Sequence, residues 1–351
     1  MIKITLGPRA VKKINQNTYE LFLSDFEQSL KQFTPGQWCE FVDERKQTNY
    51  FGYVNPHVEN NRPCAYIVKK NDIKTNEDPF EYIKLQIERA AKKRESLYEY
   101  GTNSRLVYGG ADYLPGLIID SYSNCLLVQI NTAGIDQFRD KLKIYLKEFF
   151  QKEVIYLDNK SYRAGEFLPE FNETALDHDI EVVENDVKYK IRATVMQKIG
   201  YYYDHRINRN KARELSHRIK NRKLKGLDLF CYVGSWGLNL LNGNVTDVDF
   251  VDQGDFETEI EKNLSLNKKD GQGSFYRKDV FKFLKELGDK KYDIICSDPP
   301  AFCKSKNEAK RAKDGYIKLH TLCLKQLNPD SLFVACSCTH YVDHNDFQSS
   351  V

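Results

Sequence analysis

The sequence lacks what a membrane or secreted protein would carry. No apolar run approaches the ~18 residues of a membrane span. The opening MIKITLGPRAVKK has no apolar segment of the kind a secretory signal needs. A cytoplasmic protein without membrane contact is expected. There is no CxxC pair. The nine cysteines, at 39, 64, 125, 231, 296, 303, 323, 336 and 338, are an odd number scattered along the chain. A disulfide framework is therefore not expected. With seven histidines and no paired cysteine ligands, no metal is expected either. An excess of one charge is also missing: 53 Lys and Arg against 50 Asp and Glu leave +3, too little to name a partner. No internal repeat or low-complexity segment is visible.

What is present begins with length. At 351 residues, 41% hydrophobic and 29% charged, the chain can build two or three domains with real cores. Residues 1–72 alternate apolar and polar in YELFL, QWCEFVD and NYFGYV, with turns at TPGQ and VNPH, which reads as a small β-rich domain. NEDPFEYIKLQIERAAKKRESLYEY (76–100) has helical spacing and an Asn/Asp/Pro start, so it links to a middle α/β domain, 73–187. In that domain LPGLIIDSY, NCLLVQIN and EVIYLDN are expected strands around one helix near 134–150. The last domain, 188–351, alternates strand and helix from about residue 223. Its strands are LKGLDLF, VTDVDFVD, SFYRKD, YDIICSDPP and SLFVACSC, the pattern of a parallel sheet covered by helices.

Charge is distributed more tellingly than its sum. HRINRNKARELSHRIKNRKLK (205–225) holds nine Lys or Arg against one Glu, and KSKNEAKRAK (304–313) is a second basic stretch. Each is either a solvated helix face or a surface for a polyanion such as RNA.

The most informative segment is LDLFCYVGSWGLNLL (227–241), a strand, a glycine-containing loop and a helix start. Open α/β sheets bind ligands beyond the carboxyl ends of such strands. The next strand ends in Asp252, 24 residues after Asp228, where an acid can hold ribose hydroxyls. The third ends in Lys278-Asp279-Val280, and Asp279 could accept from an adenine amino group. A GxGxxG is absent; GSWG has the spacing GxxG and suits a ligand without phosphates, such as the amino acid portion of S-adenosylmethionine. Nucleoside binding is expected.

VACSCTH (334–340) sets Cys336 and Cys338 one residue apart, starting 37 residues after the start of SDPPAFC. Residues i and i+2 of a strand share a face without disulfide geometry, so core packing or chemistry remain.

In this order the motifs resemble bacterial S-adenosylmethionine-dependent RNA methyltransferases with an N-terminal PUA domain, a middle domain and a Rossmann-like catalytic domain. The resemblance is closest to the large-subunit ribosomal RNA cytosine-C5 methyltransferases. It rests on SRLVYGGADYLPGLIIDSY (104–122), MQKIGYYYDHRINR (196–209), LDLFCYVGSWG, Asp252, KDVF, SDPPAF and SCT, and more loosely on TPGQWCEFVD and FGYVNP. It implies an α/β fold of that architecture and S-adenosylmethionine as cofactor. Asp228, Phe230, Tyr232 and Gly234 would line the methionine end, Asp252 the ribose, and Asp279 with Val280 the adenine. Gln197, Tyr201, Asp204 and Arg206 would sit in a flanking loop, where a plain helix N-terminus with Asp204 near its cap is the alternative.

The resemblance also implies covalent chemistry. Cytosine C5 is a poor nucleophile until a thiolate adds at C6. Cys338 matches the family's nucleophile, Cys336 packs deeper in the strand, and Cys303 is the rival. Asp298 would bond the cytosine edge. Pro299, Pro300, Phe302 and Lys304 would line the substrate side, with Phe302 as a stacking platform for a flipped base. Ribosomal RNA of the large subunit is the implied partner, and monomer and homodimer both stay open. The family fold continues past the fifth strand, so SLFVACSC, followed only by a short tail to DFQSSV, is expected to be an exposed sheet edge. Guanine-nitrogen methylation on the same fold and a non-catalytic ribosomal RNA-binding assembly factor are the alternative functions.

Overall fold

The computed structural model describes residues 2–44, 48–59, 61–68, 78–97, 103–157, 160–169, 179–192, 200–220, 222–303 and 305–351. They fall into two compact units. One lies within Met1–Asp177 and takes in Gly200 and Tyr201; the other lies within His178–Met196 and Tyr202–Val351.

The first unit opens with a five-stranded sheet of β1 (Ile2–Thr5), β2 (Glu20–Leu21), β3 (Gln37–Asp43), β4 (Thr48–Val54) and β5 (Ala65–Val68), in the order β1-β3-β4-β5-β2. Helix α1 (Pro8–Asn15) follows β1. It starts on a proline, which needs no N–H partner there, and buries Ala10 and Ile14 one turn apart. The alternation that marks this region as β-rich hides so short a helix, because two buried positions do not make a period.

After α2 (Pro79–Leu97), strands β6 (Ser104–Tyr108), β7 (Leu117–Ser121) and β8 (Cys125–Ile130) pair antiparallel. Helices α3 (Ala133–Asp136) and α4 (Arg139–Phe150) then lead to β9 (Glu153–Tyr156), which joins β8 in parallel, and α5 (Lys160–Gly165) follows. One buried cluster runs from Trp38, Phe51 and Tyr53 through Tyr82, Ile83 and Ile87 of α2 to Val107, Ile119 and Val128. The two segments expected as separate domains therefore share a core. Trp38 Nε1 donates to the Gly134 carbonyl at 2.9 Å. Buried Glu166 accepts from Asn55 Nδ2 at 2.9 Å, Tyr66 Oη at 3.2 Å and the Ala133 N–H at 3.3 Å.

The second unit begins with a hairpin, β10 (Ile180–Glu184) and β11 (Val187–Ile191). Its turn residues Asn185 and Asp186 both have positive φ, 51° and 66°, the twist that two-residue hairpins favour. After α6 (Arg206–Ser216) come five parallel strands: β12 (Leu224–Leu229), β13 (Val245–Asp252), β14 (Gly273–Arg277), β15 (Tyr292–Ser297) and β16 (Leu327–Ala335). They correspond to the five expected ones. Helices α7 (Ser235–Leu241), α8 (Glu257–Leu266), α9 (Val280–Glu286) and α10 (Ala309–Lys325) connect them, and α11 (His344–Gln348) follows β16.

The order β14-β13-β12-β15-β16 means that the chain builds outward from β12 on one side and then returns to its other side. In open α/β sheets ligands bind at such a reversal, which here lies beyond the carboxyl ends of β12 and β15. Strand β15 is buried at every residue, as a central parallel strand must be. Strand β16 is, with β14, one of the two edges of this sheet among the described residues, and Ser331 to Ala335 are half-buried.

Candidate active site

The loop after β12 is bent tightly. Phe230, Tyr232 and Gly234 have φ of 60°, 49° and 80°, and two of these residues are not glycine. A side-chain-bearing residue in the left-handed region costs free energy, so neighbouring bonds must hold the loop. Asp252 at the end of β13 does so, accepting from the Tyr232 N–H at 3.0 Å and the Gly254 N–H at 2.8 Å. The Tyr232 ring also meets Phe256 edge-on at 5.1 Å.

Asp228 is fully buried on β12. Its Oδ2 accepts from the Gly237 N–H at 2.8 Å, while Oδ1 has no hydrogen-bond partner among the described residues. Burial drives the carboxyl well above the ordinary range. The Gly237 N–H opposes this, and Asp298 and Asp252 add to it. A buried carboxylate with an unused oxygen wants a cationic or N–H-bearing partner.

Asp279 caps α9, accepting from the Lys282 N–H at 2.9 Å, and its other oxygen accepts from Gln253 Nε2 at 2.7 Å. Val280 is buried in the core. The ends of β12, β13 and β14 thus present Asp228, Asp252 and Asp279 in succession.

The flanking group is placed less uniformly. Gln197 lies outside the described residues. Tyr201 is buried in the first unit, where its N–H donates to Tyr122 Oη at 2.9 Å. Asp204 is exposed; His205, not Asp204, occupies the position before α6, and no side chain caps that helix. Arg206 is buried, 3.5 Å from Glu184 and over the Tyr203 ring at 5.0 Å. Arg209 forms a two-pronged pair with Glu184 at 2.6 and 2.8 Å and donates to the Tyr202 carbonyl at 2.8 Å. Arg213 donates to the Asn185 carbonyl at 2.8 Å and Arg222 pairs with Asp293 at 2.7 Å. Much of the basic stretch 205–225 is therefore internal scaffolding, and a count of charges does not distinguish that from a surface.

The residues expected on the substrate side lie at the ends of β15 and β16. Asp298 Oδ2 accepts from Trp236 Nε1 at 3.2 Å, and Oδ1 is 3.6 Å from His205 Nε2. Pro299 is buried and Pro300 exposed. The Phe302 ring lies 4.5 Å from the Tyr316 ring at 30°, so one of its faces is already covered. Lys304 lies outside the described residues.

None of the nine cysteines is in a disulfide; eight are buried and Cys338 alone is exposed. Its Sγ is 3.6 Å from the Pro299 carbonyl oxygen. The Tyr202 phenol is pushed up by burial and then by Asp204, Asp298 and Cys338. Cys336 is buried, and burial followed by Asp298 raises its thiol. Its Sγ, an Asp298 oxygen and a His205 nitrogen lie within 4.8 Å of one another, the only set among the described residues that could hold a metal ion. The thiol would first have to lose a proton that burial retains.

His205, Trp236 and Tyr316 escape the sequence reading. Trp236 stands inside the GSWG loop and was open to notice there. His205 is masked by the basic run around it, and Tyr316 sits mid-helix with no motif. No helix among the described residues is long and apolar enough to cross a membrane.

No family model matches the chain. It is 27% identical to ribosomal RNA large subunit methyltransferase I of Pseudoalteromonas atlantica, across 99% of this chain and 88% of that protein. With the protein of the same name from Shewanella amazonensis it shares 30% identity, across 77% of this chain and 70% of the other. Identity to the Tolumonas auensis protein is 32% across 70% of this chain, which there spans 64% of the relative's length. Among solved structures, SMU.776, described as a methyltransferase and complexed with SAH, superposes with a TM-score of 0.76 at 18% identity. The match covers 100% of this chain and 90% of that one. A SAM-dependent methyltransferase from Streptococcus mutans gives 0.72 at 19% identity, covering 100% and 89%. These structures show the fold, a Rossmann-like class I methyltransferase domain with an additional β-rich N-terminal part.

Proposed function

Because the chain belongs to the ribosomal RNA large subunit methyltransferase I family, we propose that it is an S-adenosylmethionine-dependent RNA methyltransferase forming 5-methylcytidine in large-subunit ribosomal RNA. On this reading residues 1–72 are a PUA-like RNA-binding domain, 73–187 a middle domain, and 188–351 the catalytic domain. The observation that carries the chemistry is Cys338: it is the one exposed cysteine, at the carboxyl end of a strand that borders β15.

That end of the sheet suits the cofactor. Asp228 Oδ1 supplies the acceptor that an α-amino group needs, and Asp252 and Asp279 stand at successive strand ends for ribose and adenine. Phe230, Tyr232 and Gly234 line the methionine end, with Val280 beside the adenine and Asp204 and Arg206 flanking. Bound there, S-adenosylmethionine supplies the methyl group that C5 takes.

Cys338 Sγ forms a bond to C6, and the C5=C6 electron pair moves to C5, which becomes nucleophilic. Once C5 carries its methyl group, a base removes the C5 proton. That electron pair restores the double bond as the C6–S bond breaks and the thiolate returns. Asp298, held by Trp236, bonds the cytosine edge. Pro299, Pro300 and Phe302 frame the base; with one face of Phe302 on Tyr316, only the other can meet a base.

The test is nucleoside mass spectrometry of unmodified large-subunit RNA incubated with the protein and S-adenosylmethionine. The expected product is 5-methylcytidine. It disappears in Cys338→Ala, which still binds S-adenosylhomocysteine, and persists in Cys336→Ala and Cys303→Ala. Methylated guanine instead would transfer the site to nitrogen chemistry and make Cys338 structural. No methylation together with no thermal shift from S-adenosylhomocysteine would leave an RNA-binding assembly factor.

A further inference from the structure

We propose that Tyr316 is a positioning residue for Cys338, fixing the thiol-bearing loop through a hydrogen-bonded circuit that also holds the Asp-Pro-Pro loop. This rests on the reading of Cys338 as nucleophile.

Tyr316 is fully buried in the middle of α10. Its hydroxyl lies 2.8 Å from Ser337 Oγ and 2.7 Å from Thr339 Oγ1, the two residues that flank Cys338. Thr339 Oγ1 accepts from the Phe302 N–H at 3.1 Å, and the Thr339 N–H donates to Ser337 Oγ at 3.2 Å. One phenol thus ties the loop after β16 to the loop after β15. Burial raises the Tyr316 hydroxyl, so it stays neutral and carries one proton. It can serve both neighbours only by donating to one and accepting from the other, which gives the circuit a direction.

The ring is as constrained as the hydroxyl. It lies against Phe302 at 4.5 Å and meets Phe347 edge-on at 5.1 Å, 88° apart. A β-carbon built on the adjacent Gly315 would come within 3.0 Å of the Phe302 ring, so residue 315 has little room for a side chain. Ser337 and Thr339 have no backbone ladder to hold them, because β16 stops at Ala335. Among the described residues, the backbone of this loop is anchored mainly by the Cys336 N–H on the Ser297 carbonyl, at 2.9 Å, and by this circuit. Such an arrangement holds Cys338 in one place while leaving it exposed. An attacking atom displaced by an ångström can lose about a hundredfold in rate.

Tyr316→Phe removes only the hydroxyl and keeps the ring packing. Thr339→Val removes the other arm without enlarging the site. For both, kcat and KM for 5-methylcytidine formation are measured, along with hydrogen exchange of the peptide covering 334–342. Each is expected to lower kcat by about tenfold to a hundredfold with KM for S-adenosylmethionine unmoved. The peptide should exchange about tenfold faster with the rest of the chain unchanged. The double variant should lose no more than the worse single one, since both break one circuit. Unchanged exchange in Tyr316→Phe overturns the positioning role whatever the activity. So does a kcat within twofold of the parent protein. A parent protein that forms no 5-methylcytidine, combined with faster exchange in both variants, overturns the nucleophile reading and leaves Tyr316 only as the residue that fixes this loop.

Discussion

Asp228 carries the sharpest conflict in the molecule. Burial raises its carboxyl, so ionising it at neutral pH works against folding, while the proposed cofactor site needs the ionised form. Asp228→Asn keeps an oxygen for the Gly237 N–H and removes the charge. A hydrogen bond to a charged group contributes about 1.5–3 kcal/mol, so affinity for S-adenosylmethionine should fall about tenfold to a hundredfold by calorimetry. Thermal stability should be unchanged or higher. A variant that loses stability yet keeps its affinity would remove Asp228 from the site. That Asp228, Asp252 and Asp279 stand on or just after three successive strands was legible in the sequence. The partners of Asp298 and Glu184 were not. Trp236 reaches Asp298 across 62 positions and Glu184 reaches Arg209 across 25, separations that no local pattern encodes.

At the scale of the element, the turn after β12 should tolerate no side chain at Gly234. A β-carbon there would come within 2.6 Å of Ile260 Cδ1, at a φ of +80°. The left-handed backbone costs about 1–2 kcal/mol and the overpacking about 1–3. Gly234→Ala should therefore lose about 2–5 kcal/mol in urea denaturation. Helix α10 makes a different prediction. His320 is buried among Tyr316, Phe333 and Phe347, with Nδ1 3.0 Å from the Ser350 carbonyl. Burial lowers its proton affinity. The unfolded chain therefore binds a proton at a pH where the folded one does not. Stability from neutral His320 is full above the ordinary value of ~6.5 and is lost as pH falls through the lower folded value. His320→Gln should flatten that loss, seen by denaturation at mildly acidic and neutral pH. The strands and long helices were readable from periodicity. Helix α1 and the β10–β11 hairpin were not, although the Asn-Asp turn at 185–186 was a signal within reach.

At the scale of the whole molecule, the sequence suggests a boundary near residue 72, yet the core crosses it. Trp38 packs 4.8 Å from Phe51 and 6.2 Å from Tyr82, on opposite sides of that point. Composition shifts mark where β-rich sequence ends, but not which faces later meet. Removing residues 1–72 should leave α2 and the β6–β9 sheet with an uncovered apolar face, detectable as dye binding and loss of cooperative unfolding. Trp38→Ala should cost about 3–5 kcal/mol.

The burial of eight cysteines and the exposure of one has a practical meaning. A maleimide or chloroacetamide added to the native protein meets a single address, so the chain can be tagged one-to-one without first engineering away the other thiols. If that address is also the reacting sulfur, each tag is an active-site titrant: the fraction of molecules labelled equals the fraction silenced.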